Sequence, residues 1–182
     1  MSYGRYARPA LKSTVDVQLQ TAFSDGNWNT VIRLADKRAK TLKDPYYDAI
    51  KISAQSQLDG AAEKSAVLVA IDKLVQSKTA PDIDVLELYE WAAKDFFQDV
   101  EYSKALGPLR ARWVKANPKS PLTLQCLQAC LEHWDLVSAQ QIAAIMDKTH
   151  VNSSDRRYMF WSITLTYLLS VSKEAPSSCG CL

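Results

Sequence analysis

The chain has 182 residues, 47% of them hydrophobic, with 22 basic and 20 acidic side chains and a net charge of +2. That is enough apolar material for a folded domain, and a charge so nearly balanced excludes a global pull toward nucleic acid or an anionic membrane. Glycine is scarce and the β-branched residues are scattered through helical patterns, so no strand is expected.

Residues 1–13 carry Arg5, Arg8 and Lys12 among Tyr3, Gly4, Tyr6 and Pro9, and read as a disordered basic arm. They hold no apolar core for a secretory signal, and Pro9 breaks the amphipathic stretch that a mitochondrial presequence would need, so a cytoplasmic location is expected. A first helix is predicted from Thr14 to Ser24, with Val17, Leu19, Ala22 and Phe23 facing inward, and its partner from Trp28 to Leu42. On that partner an apolar stripe of Val31, Ile32, Leu34 and Ala35 opposes a basic side. Arg33, Lys37, Lys40 and Lys43 of that side form a candidate partner surface, set against the simpler reading of a solvated helix face.

A second pair covers Tyr46 to Leu58 and Ala62 to Ser77, with Val67, Leu68, Ile71, Leu74 and Val75 at helical spacing. A third opens near Ile83 with the aromatic run Val85 to Phe97 and returns from Tyr102 to Ala116. Within that return Gly107-Pro108 predicts a kink or a late start, since an interior proline loses a hydrogen bond and clashes with the preceding turn. A fourth pair covers Leu122 to His133 and Asp135 to Lys148. Asn152-Ser153-Ser154-Asp155 then supplies a cap for a fifth helix, apolar nearly all round from Tyr158 to Val171. That run is too short and too polar for a bilayer, so a membrane location is not expected and an exposed apolar patch is. With no partner helix to follow, the array reads as the front part of a longer one, and residues 173–182 as a polar tail left by truncation.

Four turns recur between the helices of these pairs, beginning at Gly26, Gly60, Val100 and His133, at spacings of 34, 40 and 33. The sixth place of each, Val31, Ser65, Ala105 and Ser138, is small, as close helix approach requires. Pro45, Pro81 and Pro118 follow the second helices at spacings of 36 and 37. A helix-turn-helix period in this range with a late proline marks an all-α, tetratricopeptide-like solenoid. About four helix pairs plus an unpaired fifth helix are expected over residues 14–172.

Chemistry-bearing motifs are weak. Cys126, Cys130 and His133 share one helical face, but the leucines around them favour buried thiols over metal ligands. Cys179, four residues from a terminal leucine, only outlines a prenylation frame, because Gly180 and Cys181 stand where aliphatic residues belong. Gln57 to Ala62 fits a loose coenzyme A phosphate-loop pattern, which counts only between a strand and a helix. His133 and His150 have no nucleophile and orienting carboxylate at a known spacing. No enzyme, cofactor or metal is expected.

Between Thr14 and Ser172, three segments carry a family resemblance: Leu34-Ala35-Asp36-Lys37, Val114-Lys115-Ala116-Asn117-Pro118 and Tyr158-Met159-Phe160-Trp161-Ser162. With them the chain resembles the N-terminal repeats of the auxiliary subunit of the N-terminal acetyltransferase B complex, in a fungal version. The resemblance implies a non-catalytic superhelix that holds a separate catalytic acetyltransferase subunit and helps bring it to the ribosome, for acetylation of nascent chains starting Met-Asp, Met-Glu, Met-Asn or Met-Gln. It carries over no catalytic residue. The alternative is a generic tetratricopeptide adaptor or co-chaperone. Gln18, Gln20, Tyr46, Asp48, Glu87 and Glu90 stand near the carboxylate-clamp places, without the repeated Lys/Asn pair such a clamp uses.

Overall fold

A computed structural model describes residues 13–58, 60–77, 81–93, 99–149 and 156–174, with the side chains of 60–65, 99, 101–103 and 173–174 left aside. Among the described residues there are nine α-helices and no strand. The chain divides into two compact units, Met1–Phe97 and Gln98–Leu182. The third expected pair is thereby shared out, its first helix to one unit and its second to the other. The basic arm, Asn152 to Asp155 and the tail with Cys179 lie outside the described residues, as do Phe96, Phe97 and His150.

The first unit holds α1 (Thr14–Ser24), α2 (Trp28–Leu42), α3 (Pro45–Leu58), α4 (Gly60–Gln76) and α5 (Ile83–Ala93). Ser13 caps α1 by accepting from the Asp16 N–H at 3.2 Å, and Pro45 opens α3 where its missing N–H costs nothing. Helix α3 packs on α2, α4 and α5. Small residues permit its approach to α5: Ala49, Ser53 and Ala54 on one side and Ala92 and Ala93 on the other are all buried. The buried Ser53 hydroxyl donates to the Leu88 carbonyl at 2.9 Å, which satisfies a polar group that burial would otherwise penalise. Phe23, Trp28 and Trp91 form a trio of rings with centroids 5.4 to 5.7 Å apart. Ile71, Leu86 and Leu88 are fully buried, each worth about 2 kcal/mol of transfer free energy.

Two inward assignments are corrected. Val17 is 53% exposed, because Asp16, one position away, takes the inward place of α1. On α4, among the described side chains, Val67 and Ile71 are buried and Leu74 is half-buried, while Leu68 and Val75 face out.

The second unit holds α6 (Asp99–Ala116), α7 (Thr123–Glu132), α8 (Leu136–Thr149) and α9 (Arg156–Glu174). Helix α8 packs against the other three, and α7 also touches α6 and α9. Helix α6 runs through Pro108 without the late start expected there. The preceding residue supplies the reason. A proline crowds the Cβ of its predecessor, and Gly107 has none. Gly107 also faces α8 so closely that a Cβ built on it would lie 1.6 Å from Asp135 Oδ2. Asp135 is buried, its Oδ1 accepts from the Ser138 N–H at 3.1 Å, and its Oδ2 has no hydrogen-bond partner. Cys126 and Cys130 are fully buried thiols that form no disulfide, and Arg110 donates to the Cys126 sulfur at 3.5 Å.

Two hairpin turns are described in full, and they match bond for bond. At the α1–α2 turn the Asn27 N–H reaches the Ala22 carbonyl at 2.8 Å, the Gly26 N–H reaches Phe23 at 3.2 Å and the Trp28 N–H reaches Gly26 at 2.9 Å. At the α7–α8 turn Asp135 reaches Cys130 at 2.9 Å, Trp134 reaches Leu131 at 3.2 Å and Leu136 reaches Trp134 at 3.0 Å. Each is a helix stop with a left-handed residue, Gly26 at φ 69° or Trp134 at φ 56°. The next residue, Asn27 or Asp135, then caps the following helix by accepting from the N–H of Thr30 or Ser138. This register pairs Gly26 with Trp134, not His133. It corrects the fourth copy by one place: Val31 corresponds to Ala139, both fully buried, and Trp134 is the left-handed residue with its ring exposed. Trp28 does pack over its own turn, its ring 3.7 Å from a Cβ built on Gly26.

Candidate functional site

Helix α2 displays the basic face expected of it. Its inward side is fixed by Val31, Leu34 and Ala35, which are buried, so the residues three and four places apart on the far side must face out. Arg33, Lys37 and Lys40 are exposed there, and Lys43 follows as the C-cap, exposed and left-handed at φ 50°. The four are not equivalent. Lys40 pairs with Asp36 at 2.6 Å, and Lys51 of α3 reaches the other oxygen of the same carboxylate at 2.7 Å. These two ammonium groups hold the Asp36 carboxyl down at about 2. Arg33, Lys37 and Lys43 make no ion pair among the described residues.

Arg38, a fifth cation of this helix, turns inward instead. Its guanidinium meets Asp16 of α1 with two donors, at 2.9 and 2.6 Å, and Ser13 and Tyr47 donate to the same carboxylate at 2.7 and 2.9 Å. Burial raises the Asp16 carboxyl, but the hydrogen bonds from Arg38, Ser13 and Tyr47 outweigh it and hold it at about 2. Burial and the neighbouring Asp16 raise the Tyr47 phenol. Every oxygen of the cluster is engaged, so it clamps α1, α2 and α3 together and has no capacity left for a ligand. Helical spacing sets Arg38 on the inward stripe, seven residues after Val31 and four after Leu34, and Asp16, the acid in the first turn of the neighbouring helix, is the partner that lets a cation sit there.

The apolar face expected on the last helix is present. Tyr158 and Leu165 of α9 are buried, and the Tyr158 hydroxyl donates to Asp147 of α8. Burial and that carboxylate push the Tyr158 phenol up to about 12. On the other side Phe160, Ile163 and Tyr167 are 60 to 68% exposed, with Met159 and Val171 beside them. No described helix is long and apolar enough to cross a membrane.

The phosphate-loop look-alike lies between helices, since α3 ends at Leu58 and α4 opens at Gly60, so the strand that such a loop requires is not there. Among the described residues no group of three His, Cys, Asp or Glu side chains could hold a metal ion. No family model, curated protein or solved structure matches the chain.

Proposed function

We propose that the chain is a tetratricopeptide-like repeat scaffold, a non-catalytic part of an N-terminal acetyltransferase B complex that holds the catalytic subunit. One observation carries the repeat reading: the same hairpin turn recurs between residues 26 and 134, a distance of 108, or three repeats of 36. That period agrees with the proline spacings of 36 and 37. Helix-helix packing one repeat apart also supports it, with α3 on α5, α6 on α8 and α7 on α9. The step from repeat scaffold to this complex rests on the three segments that resemble the auxiliary subunit.

Tagged chain co-expressed with the catalytic subunit of acetyltransferase B should co-purify with it and not with the catalytic subunit of acetyltransferase A. Retention of both, or of neither, overturns the assignment. Ribosome contact, where it occurs, falls to the α2 face. Reversing Arg33, Lys37 and Lys43 should lower co-sedimentation with ribosomes most at low salt, and reversing Lys40 should do less, because Asp36 already occupies it. Equal effects at all four positions, or none, would return the face to ordinary solvation.

A further inference from the structure

The last turn of α2 carries a hydroxyl in the middle of the basic face. Thr41 is exposed, with Lys40 one place before it and Lys43 two places after. Among the described residues no other exposed serine or threonine has a cation within two places on both sides. Four residues make about one turn, so Thr41 also stands beside Lys37, whose carbonyl accepts from the Thr41 hydroxyl at 2.9 Å. The turn is lightly held. Thr41, Leu42 and Lys43 are all exposed, so opening it withdraws no buried side chain, and the Lys43 N–H reaches the Ala39 carbonyl at 3.0 Å as the capping bond. Beyond it the chain has already left the helix: Lys43 is left-handed, and Pro45 favours an extended Asp44. On the other side Arg38 is pinned by Asp16, so the opening stops within a turn.

Lysines near a helix C-terminus offset the negative end of its dipole, which accounts for Lys40 and Lys43 taken alone. It does not account for an acceptor hydroxyl set between them in a turn that opens so readily. We propose that Thr41 is a phosphorylation site whose modification switches off the α2 basic face. A protein kinase that selects substrates by the basic side chains around the acceptor binds the segment extended, and the open turn offers it Lys40, Leu42 and Lys43 around Thr41. Thr41 Oγ1 attacks the γ-phosphorus of ATP and its proton passes to the kinase's catalytic carboxylate. The bond from that phosphorus to the bridging oxygen breaks, and ADP leaves. The phosphate brings about two negative charges beside Lys37, Lys40 and Lys43. Set against Arg33, Lys37 and Lys43, which make no ion pair among the described residues, it leaves the face with a net charge of about one. The switching rests on the α2 face as the ribosome contact; the modification itself does not.

The test treats the purified full chain with ATP and the catalytic fragment of protein kinase C, which reads basic residues on both sides of its acceptor, and maps the phosphate by mass spectrometry. Thr41 should be modified, and Lys43→Gln should slow that modification about tenfold. The treated native chain should elute from a heparin column at lower salt than treated Thr41→Val, whose face keeps its charge. A Thr41 left without phosphate, or a Lys43→Gln chain modified as fast as the native one, overturns the site, and equal elution overturns the loss of charge. Co-sedimentation separates the switch from the reading it rests on. An untreated chain that does not pellet with ribosomes overturns the ribosome contact alone, whereas a phosphorylated chain that pellets as well as treated Thr41→Val overturns the switch.

Discussion

Gly107 shows how one missing Cβ can fix two things at once. Inside an ordinary helix, glycine to alanine gains about 1 kcal/mol. Here the added carbon would lie 1.6 Å from Asp135 Oδ2, so α6 and α8 must separate or the α8 cap must break. Gly107→Ala should therefore destabilise by about 2–4 kcal/mol, as overpacking and a lost cap together would, measured by urea unfolding. A neutral or stabilising result would mean that the Asp135 side chain simply turns away. The clamp around Asp16 makes a different demand. Its carboxyl is held at about 2 in the folded chain against an ordinary value of 3.8, so its contribution is complete above the unfolded value and lost as pH falls through the folded one. That contribution is on the order of 1–2 kcal/mol after allowance for screening. The stability gap between the native chain and Asp16→Ala should be widest above about pH 5 and shrink steadily toward about pH 2. A gap independent of pH would show that Asp16 acts by packing and not by charge. Asp36 is depressed as far but lies at the surface, so its share should fade with added salt while that of Asp16 persists.

At the scale of elements, the helices of this chain are written plainly and their register is not. Apolar spacing and the Gly26 turn place α1 and α2 within their observed bounds, because an amphipathic stripe and a left-handed stop are local events. The basic face of α2 is legible for the same reason. Spacing puts Asp16 three residues before Leu19 and seven before Phe23, and Arg38 seven after Val31 and four after Leu34. Both therefore lie on inward stripes, and only their polar residue types disguise it. Trp134 in place of a glycine at the fourth turn is the choice that the sequence conceals. That one is decided by a backbone angle, which spacing cannot encode. Trp134 misleads most, since an aromatic beside a turn reads as a cover for it. A non-glycine residue in the left-handed region carries about 1–2 kcal/mol of strain, and glycine there gives back part of that in chain entropy. Trp134→Gly should thus stabilise by about 0.5–1 kcal/mol, whereas Gly26→Ala should destabilise by a similar amount, both read from thermal unfolding. Opposite signs at equivalent places of two turns are what one repeated hairpin requires. Equal signs would break the equivalence.

The molecule as a whole sorts its surface chemistry by place. Cations gather on the outer face of α2 in the first unit, while the largest set of exposed large apolar side chains among the described residues lies on α9 in the second. Phe160, Ile163 and Tyr167 fall three and four residues apart, so they form one continuous ridge. A ridge of this size is seldom left open to water, and the cheapest cover in a purified sample is another copy of the same ridge. The chain should therefore self-associate as its concentration rises, seen by sedimentation velocity. Because the stripe is apolar, high salt should leave the association intact or strengthen it, which separates it from any attachment through the basic face. Phe160→Ser with Ile163→Lys should return the chain to a monomer without loss of helix, since both side chains point away from α7 and α8 while Tyr158 and Leu165 hold the packed side. If the doubly substituted chain still associates, the ridge is not the contact. The basic face would then be the next to reverse, and the salt dependence should already have pointed to it.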